Sequence, residues 1–488
     1  MTESKDIYFE DLIPIINNLK NANIDPYPIF AEKLDNIEEI KSNYELYENK
    51  EVNVAGRILT KREHGKASFA TILGGNTNIQ IYFKFDNLGE EKYNLFKKFI
   101  AVGDFIAVKG IVFKTHTGEI TVSANDIKLL SKALLPLPEK WHGIENPEVR
   151  YRQRYLDLII NKDTKKTFDT RAKIISTIRK TLESLNFTEV ETPILQEMYG
   201  GAIAKPFVTH HNALDEDLYL RIAPELYLKR LIIGGYEKVF EIGKAFRNEG
   251  ISIQHNPEFT ILELYEAYTD YKRMMEITEI IFEALISEVI KTPQIKYRGK
   301  TIEFKFPFTR LTLSEAFSLY ANVDINDLKD LDFAKAYINK ENISINKPLS
   351  WESVVDEILK KKVEPNLIQP TFLYDYPLPL SPLAKKKVDN PEWVERFQPI
   401  IGGLEIGNAF TELNDPIDQF ERFAQQEEAR KGGDLEAHTF DRDYIEAMKF
   451  GMPPTGGLGL GIDRIIMLLT GKESIREVIL FPQLRKKD

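Results

Sequence analysis

Two short runs hold residue types that together could act on a phosphorylated substrate. In Phe240 to Phe259, FEIGKAFRNEGISIQHNPEF, a cation (Arg247), an acid (Glu249), an imidazole (His255) and an aromatic ring (Phe259) gather around one expected hairpin. A guanidinium fork suits an α-phosphate or carboxylate, and a ring such as Phe259 can stack on a base. Alone, an Arg-x-Glu pair is usually a surface ion pair of little energetic consequence. The second run, GGLGLGIDR (456–464), lets backbone approach a ligand closely and puts Arg464 at a helix start. Alone it reads as a tightly packed strand and turn, and it does not fit GxGxxG.

Other chemistries are excluded. The chain has no cysteine, which removes disulfides, thiolate metal sites and a thiol nucleophile. There is no GxxxxGK[ST] loop, HExxH, GxSxG or kinase HRD/DFG set, so nucleotide chemistry must use another scaffold.

Composition bounds the elements that must hold these residues. At roughly 150 residues per domain, 488 residues suggest about three units. With 43% apolar and 29% charged residues the chain is ordinary globular material. No run of apolar residues is long enough to span a bilayer, and MTESKDIYFED lacks a secretory leader's basic-then-apolar pattern. A cytoplasmic location without membrane contact is expected. Net charge is −10, yet Lys50 to Lys132 carries 13 Lys and Arg against 8 Asp and Glu. One basic module on an acidic chain favours a nucleic-acid partner there.

Periodicity gives the organisation. Residues 1–48 are expected to form a helical segment, with Leu12, Ile15, Ile16 and Leu19 at helical spacing. Over 49–134, VNVAGRIL, SFATIL, NIQIYF, FIAVKGIVF and EITVSA read as five short strands with a helix between the third and fourth, the plan of an OB-fold barrel. A stiff linker follows at 135–150, with LPLP at 135–138. The remainder, 151–488, arranges strands and helices in blocks, which predicts an α+β domain with an antiparallel sheet and a helical insertion at about 270–366. Phe397–Ile406 reads as one strand and Pro416–Lys431 as a charged helix.

Taken together, the helix ending in Thr192-Pro193, FRNE (246–249) and GLGLGIDR resemble, in order, the three motifs of class II aminoacyl-tRNA synthetases. RIAPELYLKRL (221–231), GGAIAKPF (200–207), NPEFTILELY (256–265) and EIGNAFTELNDP (405–416) resemble the lysyl-tRNA synthetases of the class IIb subgroup. The resemblance implies a homodimeric ligase that uses ATP and Mg²⁺ to activate lysine and load it on tRNA(Lys), with the OB module binding the anticodon. Independently of it, Glu225, Glu263, Glu405 and Glu412 make the expected pocket anionic, which suits a cationic amino acid. The resemblance gives Gly201 and Glu225 to the α-amino group, Arg247 and Asn408 to the carboxylate, Glu263, Tyr265 and Glu412 to the ε-ammonium, and Phe410 to an apolar wall. For ATP it implies Arg247, Glu249, His255, Asn256, Phe259, Glu405, Ile406, Gly461 and Arg464, with Arg247 and Arg464 catalytic. Glu405 is the expected Mg²⁺ ligand. Gln398 stands where the family has a second acidic ligand, and its amide oxygen adds no charge. Arg57, Phe69, Gln80 and Glu119 match anticodon-reading positions, although Phe69 also reads as barrel core. The rival readings are an aspartate- or asparagine-specific relative, a non-catalytic synthetase-like RNA-binding protein, and a truncated relative that lysylates protein.

Overall fold

The computed structural model describes residues 9–138, 144, 146–202, 204–345, 349–431 and 439–486. Part of the expected linker (139–143 and 145) and Ile203 of GGAIAKPF lie outside the described residues. The chain divides into two compact units, Met1–Asn146 with Leu158–Lys162, and Pro147–Asp157 with Asp163–Asp488.

In the first unit, β1 (Glu51–His64), β2 (Ala67–Gly74), β3 (Thr77–Lys84), β4 (Phe105–Lys114) and β5 (Ile120–Ser131) close into a barrel in the order β1-β2-β3-β5-β4. The β3–β5 pairing is parallel and the others are antiparallel. Alternation decides which side chains fill it: Val54, Ile58, Ile72, Ile79, Ile81, Phe83, Val108 and Val122 point inward and are buried. Phe85–Asn94 and a wider turn at Leu95–Phe99 supply Phe96, whose ring stacks on Phe83 at 4.0 Å. Lys61 closes this element from outside by donating to the carbonyls of Phe96 and Ile100, each at 2.9 Å. Helix Phe9–Asn21 and short helices Ile37–Ser42 and Tyr44–Tyr47 precede the barrel, and Leu19, Ile37 and Ile40 join its core.

The second unit is built on a large sheet of β6 (Thr188–Glu189), β10 (Lys238–Phe246), β11 (Glu258–Ala267), β14 (Thr309–Thr312), β15 (Thr371–Pro377), β16 (Trp393–Ile401), β17 (Leu404–Glu405), β18 (Gly407–Thr411) and β19 (Thr455–Gly461). The order is β14-β15-β16-β18-β19-β11-β10-β6, with β17 paired to β16. Pairing is antiparallel except for β14–β15 and β10–β6 at the two edges. A smaller sheet, ordered β7-β9-β8, comprises β7 (Leu195–Gln196), β8 (Phe207–His211) and β9 (Glu216–Leu220), while β12 (Gln294–Tyr297) and β13 (Lys300–Glu303) form a hairpin. Helices Lys162–Ser184, Tyr271–Ala284 and Ile462–Thr470 bury Ile174, Ile178, Leu182, Met274, Ile281, Ile465 and Leu468 in the same core as Leu262, Leu264, Leu458 and Leu460. Their apolar stripes at helical spacing explain that packing.

Two expectations change. Phe397–Ile406 is a hairpin, because Gly402 and Gly403 take φ of 66° and 70° and reverse the chain between β16 and β17. The 270–366 stretch is not purely helical: it contains β12 and β13, and β14 extends the large sheet beside β15. Helix Pro416–Lys431 has the expected bounds; Asp415 Oδ1 accepts from the backbone N–H groups of Ile417 (2.9 Å) and Asp418 (3.3 Å) at its start.

Candidate active site and nucleic-acid interface

A cavity of about 450 Å³ opens over β11, β18 and β19. It is lined by Gly201, Glu225, Arg247, Glu249, His255, Asn256, Phe259, Glu263, Tyr265, Gln398, Glu405, Ile406, Asn408, Phe410, Glu412, Gly461 and Arg464. Every residue expected to meet amino acid, ATP or metal is therefore in one wall.

Register brings them together. The side chains of Glu263 and Tyr265 share a face of β11, opposite Gly459 and Gly457 of β19, and Asn408 of β18 pairs with Gly459 from the other side. The glycines leave room: a Cβ on Gly457 would lie 1.9 Å from Glu412 Oε1 and 2.6 Å from the Tyr265 ring. At the acidic end Glu225, Glu263 and Glu412 are all buried. Tyr265 donates its hydroxyl to Glu263 Oε2 at 3.0 Å. Burial, then the neighbouring Glu225, pushes the Glu263 carboxyl up to about 8. Burial also raises Glu225 and Glu412, against the pull of Lys229.

Lys229 is a residue that sequence reasoning missed. Fully buried, it donates from Nζ to Glu225 Oε1 at 2.5 Å and forms an ion pair with Glu412 Oε2. Burial opposes its charge, but Glu225 and Glu412 outweigh that and hold it protonated. The available signal was its position four residues after Glu225 in helix Glu225–Ile233, which stacks the two side chains on one face. Arg396 was also missed: it donates to Asn408 Oδ1 at 2.7 Å and orients that amide.

At the cationic end, the Arg247 guanidinium lies over Phe259 at 5.1 Å, and its buried Nε has no hydrogen-bond partner. Arg464 donates to the Glu405 carbonyl at 2.9 Å, with Glu405 Oε2 at 3.7 Å. His255 accepts or donates at Nδ1 with Ser252 Oγ at 2.8 Å, and its Nε2 faces Arg464 at 3.4 Å. Desolvation, then Arg464 and Arg247, lowers its pKa. Asn256 is engaged on both sides, donating to Glu258 O and accepting from Gln483 N–H. Gln398 is in the wall, but its Oε1 accepts from the Tyr376 hydroxyl at 2.5 Å, so this amide oxygen is committed to a protein partner. Among the described residues no group of three or more His, Asp or Glu forms a metal cage.

On the barrel, Phe69 is not core. It alternates with buried Ser68 and Ala70, faces outward and packs against Tyr82 at 4.9 Å, with Phe113 beyond at 6.2 Å from Tyr82. Gln80 lies near, accepting from Thr121 at 2.9 Å, and exposed Glu119 pairs with Lys41 at 3.6 Å. Arg57 is tied down on the same outer surface, over the Phe105 ring at 4.2 Å and donating to Gly103 O. Tyr82 and Phe113 extend the aromatic surface beyond the residues expected from sequence.

Comparison with known proteins agrees with both units. Residues 52–130 match the OB-fold nucleic acid binding domain, and residues 146–485 match the tRNA synthetases class II (D, K and N). A protein named lysine–tRNA ligase from Thermoanaerobacter pseudethanolicus is 52% identical over 474 residues, 97% of this chain and 95% of the relative. Another of that name from Pelotomaculum thermopropionicum is 51% identical, covering 96% and 93% of the two chains, and one from Clostridium tetani is 51% identical over 96% and 94%. With the cavity, the barrel and these matches spanning nearly its whole length, the chain belongs to the class II tRNA synthetases of the D, K and N group.

Proposed function

We propose that this protein is a lysine–tRNA ligase, and the observation that carries the amino-acid specificity is the buried cluster Glu225, Glu263 and Glu412 facing Arg247 across one cavity. A buried anionic cluster favours a cationic substrate and disfavours aspartate or asparagine. Lysine would lie with its α-amino group toward Gly201 and Glu225, its carboxylate toward Arg247 and Asn408, and its ε-ammonium toward Glu263, Tyr265 and Glu412. Phe410 would flank the aliphatic stem.

In the first step a lysine carboxylate oxygen attacks the α-phosphorus of ATP and pyrophosphate leaves. The carboxylate is already ionised, so no general base is needed. Arg247, positioned by Phe259, would bridge carboxylate and α-phosphate, and Arg464 would neutralise the outer phosphates. In the second step a terminal ribose hydroxyl of tRNA attacks the carbonyl, AMP leaves, and the hydroxyl proton passes to the departing phosphate. Mg²⁺ would be held by Glu405 together with phosphate oxygens, a donor set Mg²⁺ commonly accepts, and supplies charge neutralisation when bound. Gln398, committed to Tyr376, would stand outside that set. The outer barrel face around Phe69 would take the anticodon.

A cytoplasmic homodimer completes the proposal. Among the described residues no helix is long and apolar enough to cross a membrane. Edge strand β6 and the exposed Ile194, Leu195 and Met198 support association through 167–193 and the segment just after it. Sedimentation at micromolar concentration should give a dimer, and a fully active monomer would refute this part.

The central test is exchange of labelled pyrophosphate into ATP with lysine, aspartate or asparagine as the only amino acid. Exchange with lysine alone is expected. Exchange with aspartate or asparagine would install that rival reading, and exchange with none would favour a non-catalytic RNA-binding protein.

A further inference from the structure

Lys229 lies outside the cavity lining, yet it touches two residues inside it. The contacts are divided atom by atom. Its ammonium takes Oε1 of Glu225, and Oε2 of the same carboxylate lies on the Gly201 side, 3.6 Å from where a Cβ on that glycine would stand. It takes Oε2 of Glu412, and Oε1 of that carboxylate faces Gly457. Both Glu412 oxygens are buried and, among the described residues, neither has a hydrogen-bond partner; Oε2 is held by the Lys229 ion pair alone, and Oε1 has no cation against it. Among the described residues Lys229 is the one cation paired with either carboxylate. The ammonium is itself confined: the Phe410 ring is 5.4 Å away and the whole residue is buried.

We infer that Lys229 is a specificity-determining positioning residue: one buried ammonium grips one oxygen of Glu225 and one of Glu412, and so fixes where the two remaining oxygens await the two amino groups of a diamino acid. This rests on the reading of the cavity proposed above. Glu225 Oε2 is turned to the α-amino end and Glu412 Oε1 to the distal end, so the separation of the two acceptors is a protein-imposed length gauge. Without the grip, two adjacent carboxylates repel, and among the described residues the Glu412 carboxylate has no other cation or hydrogen-bond partner. Lys229 also cancels one of the negative charges, leaving the remainder for the substrate.

The test is the ratio of kcat/KM for lysine over ornithine, which is one methylene shorter, in pyrophosphate exchange. One methylene is worth roughly 10–200-fold where a pocket measures length. Lys229→Met keeps the stem and removes the charge. The expected result is a lysine KM raised at least about tenfold, an ATP KM changed less than about threefold, and a lysine-to-ornithine ratio lowered at least about tenfold. A folded Lys229→Met enzyme with the wild-type ratio overturns the inference, as does an equal rise in both KM values. A wild-type enzyme that does not activate lysine would instead overturn the underlying reading.

If Lys229→Met does not fold, the absence of cysteine supplies a second route. Lys229→Cys then carries the sole thiol, which can be aminoethylated or aminopropylated in denaturant before refolding, with wild type carried through the same cycle. The aminoethyl form should recover lysine preference, and the aminopropyl form, with its ammonium one methylene further out, should shift the ratio toward ornithine. Failure of the first to recover while wild type does, or equal ratios in both, overturns the inference.

Discussion

The acidic end of the cavity turns individual protonation states into measurable behaviour. Glu412→Gln keeps shape but removes a buried countercharge, and breaking one side of such a pair costs roughly 3–5 kcal/mol. Lysine binding should weaken severely with ATP binding nearly unchanged; equal losses would make Glu412 structural. Glu263 is held up to about 8, so at pH 7 its carboxyl is mostly protonated in the empty site. An arriving ammonium favours the ionised form, so lysine binding at pH 7 should release most of one proton. Affinity should rise with pH below 8 and level off above it. Calorimetry in buffers of different ionisation enthalpy measures the proton, and Glu263→Gln should reduce its release. Stability follows the same linkage: a carboxyl raised from an ordinary 4.5 to about 8 costs the fold progressively as pH climbs through that window, then no more. The carboxylates themselves were legible in the sequence because three motifs framed them. Lys229 was not, because a lysine on a helix ordinarily lies in solvent, and only the tertiary packing around Glu412 shows it is buried.

Strand β19 shows how an element sets the site. Gly457→Ala would drive a Cβ to 1.9 Å from Glu412 Oε1, whereas on Gly459 the nearest atom would be 3.7 Å away. Overpacking of this kind typically costs 1–3 kcal/mol, so Gly457→Ala should lower Tm and raise the lysine KM while Gly459→Ala is much milder. Thermal melting and exchange kinetics on the pair check this. Elements with regular periodicity were readable from sequence, as helix Pro416–Lys431 illustrates. The hairpin at Gly402-Gly403 was hidden because both of its arms are apolar and the turn is only two residues, so continuous hydrophobicity ran through it. The strands within 270–366 were obscured because they are four residues each, too short for alternation to register.

At the scale of the whole molecule the two units divide the labour. Phe69→Ala should leave pyrophosphate exchange near normal, since that reaction needs no tRNA. It should remove roughly 1–3 kcal/mol of tRNA affinity, the usual worth of one base stacked on an aromatic ring. Because Phe69 faces outward against Tyr82, the barrel should stay folded, which melting of the variant checks. An unfolded barrel would contradict the outward placement. The basic surplus of the barrel segment was readable from composition alone, but the aromatic row through Tyr82 and Phe113 was not, since three separate strands contribute to it.

The position of β19 has a consequence for synthesis. It is hydrogen-bonded between β18 and β11, in the middle of the large sheet, yet in chain order it comes last of that sheet's strands. Chains emerge at about 5–20 residues per second, so β11, complete by Ala267, waits for Thr455–Gly461 for roughly ten seconds or more with one edge unpaired. Unpaired edges invite pairing with neighbouring chains. The nascent protein thus passes through a stage in which its barrel can be finished while its catalytic sheet stands open at the centre. A chain stopped at Pro454 should accumulate in aggregates or on chaperones, while the same chain carried through Thr470 should not. Ribosome-bound nascent chains arrested at the two lengths would reveal the difference.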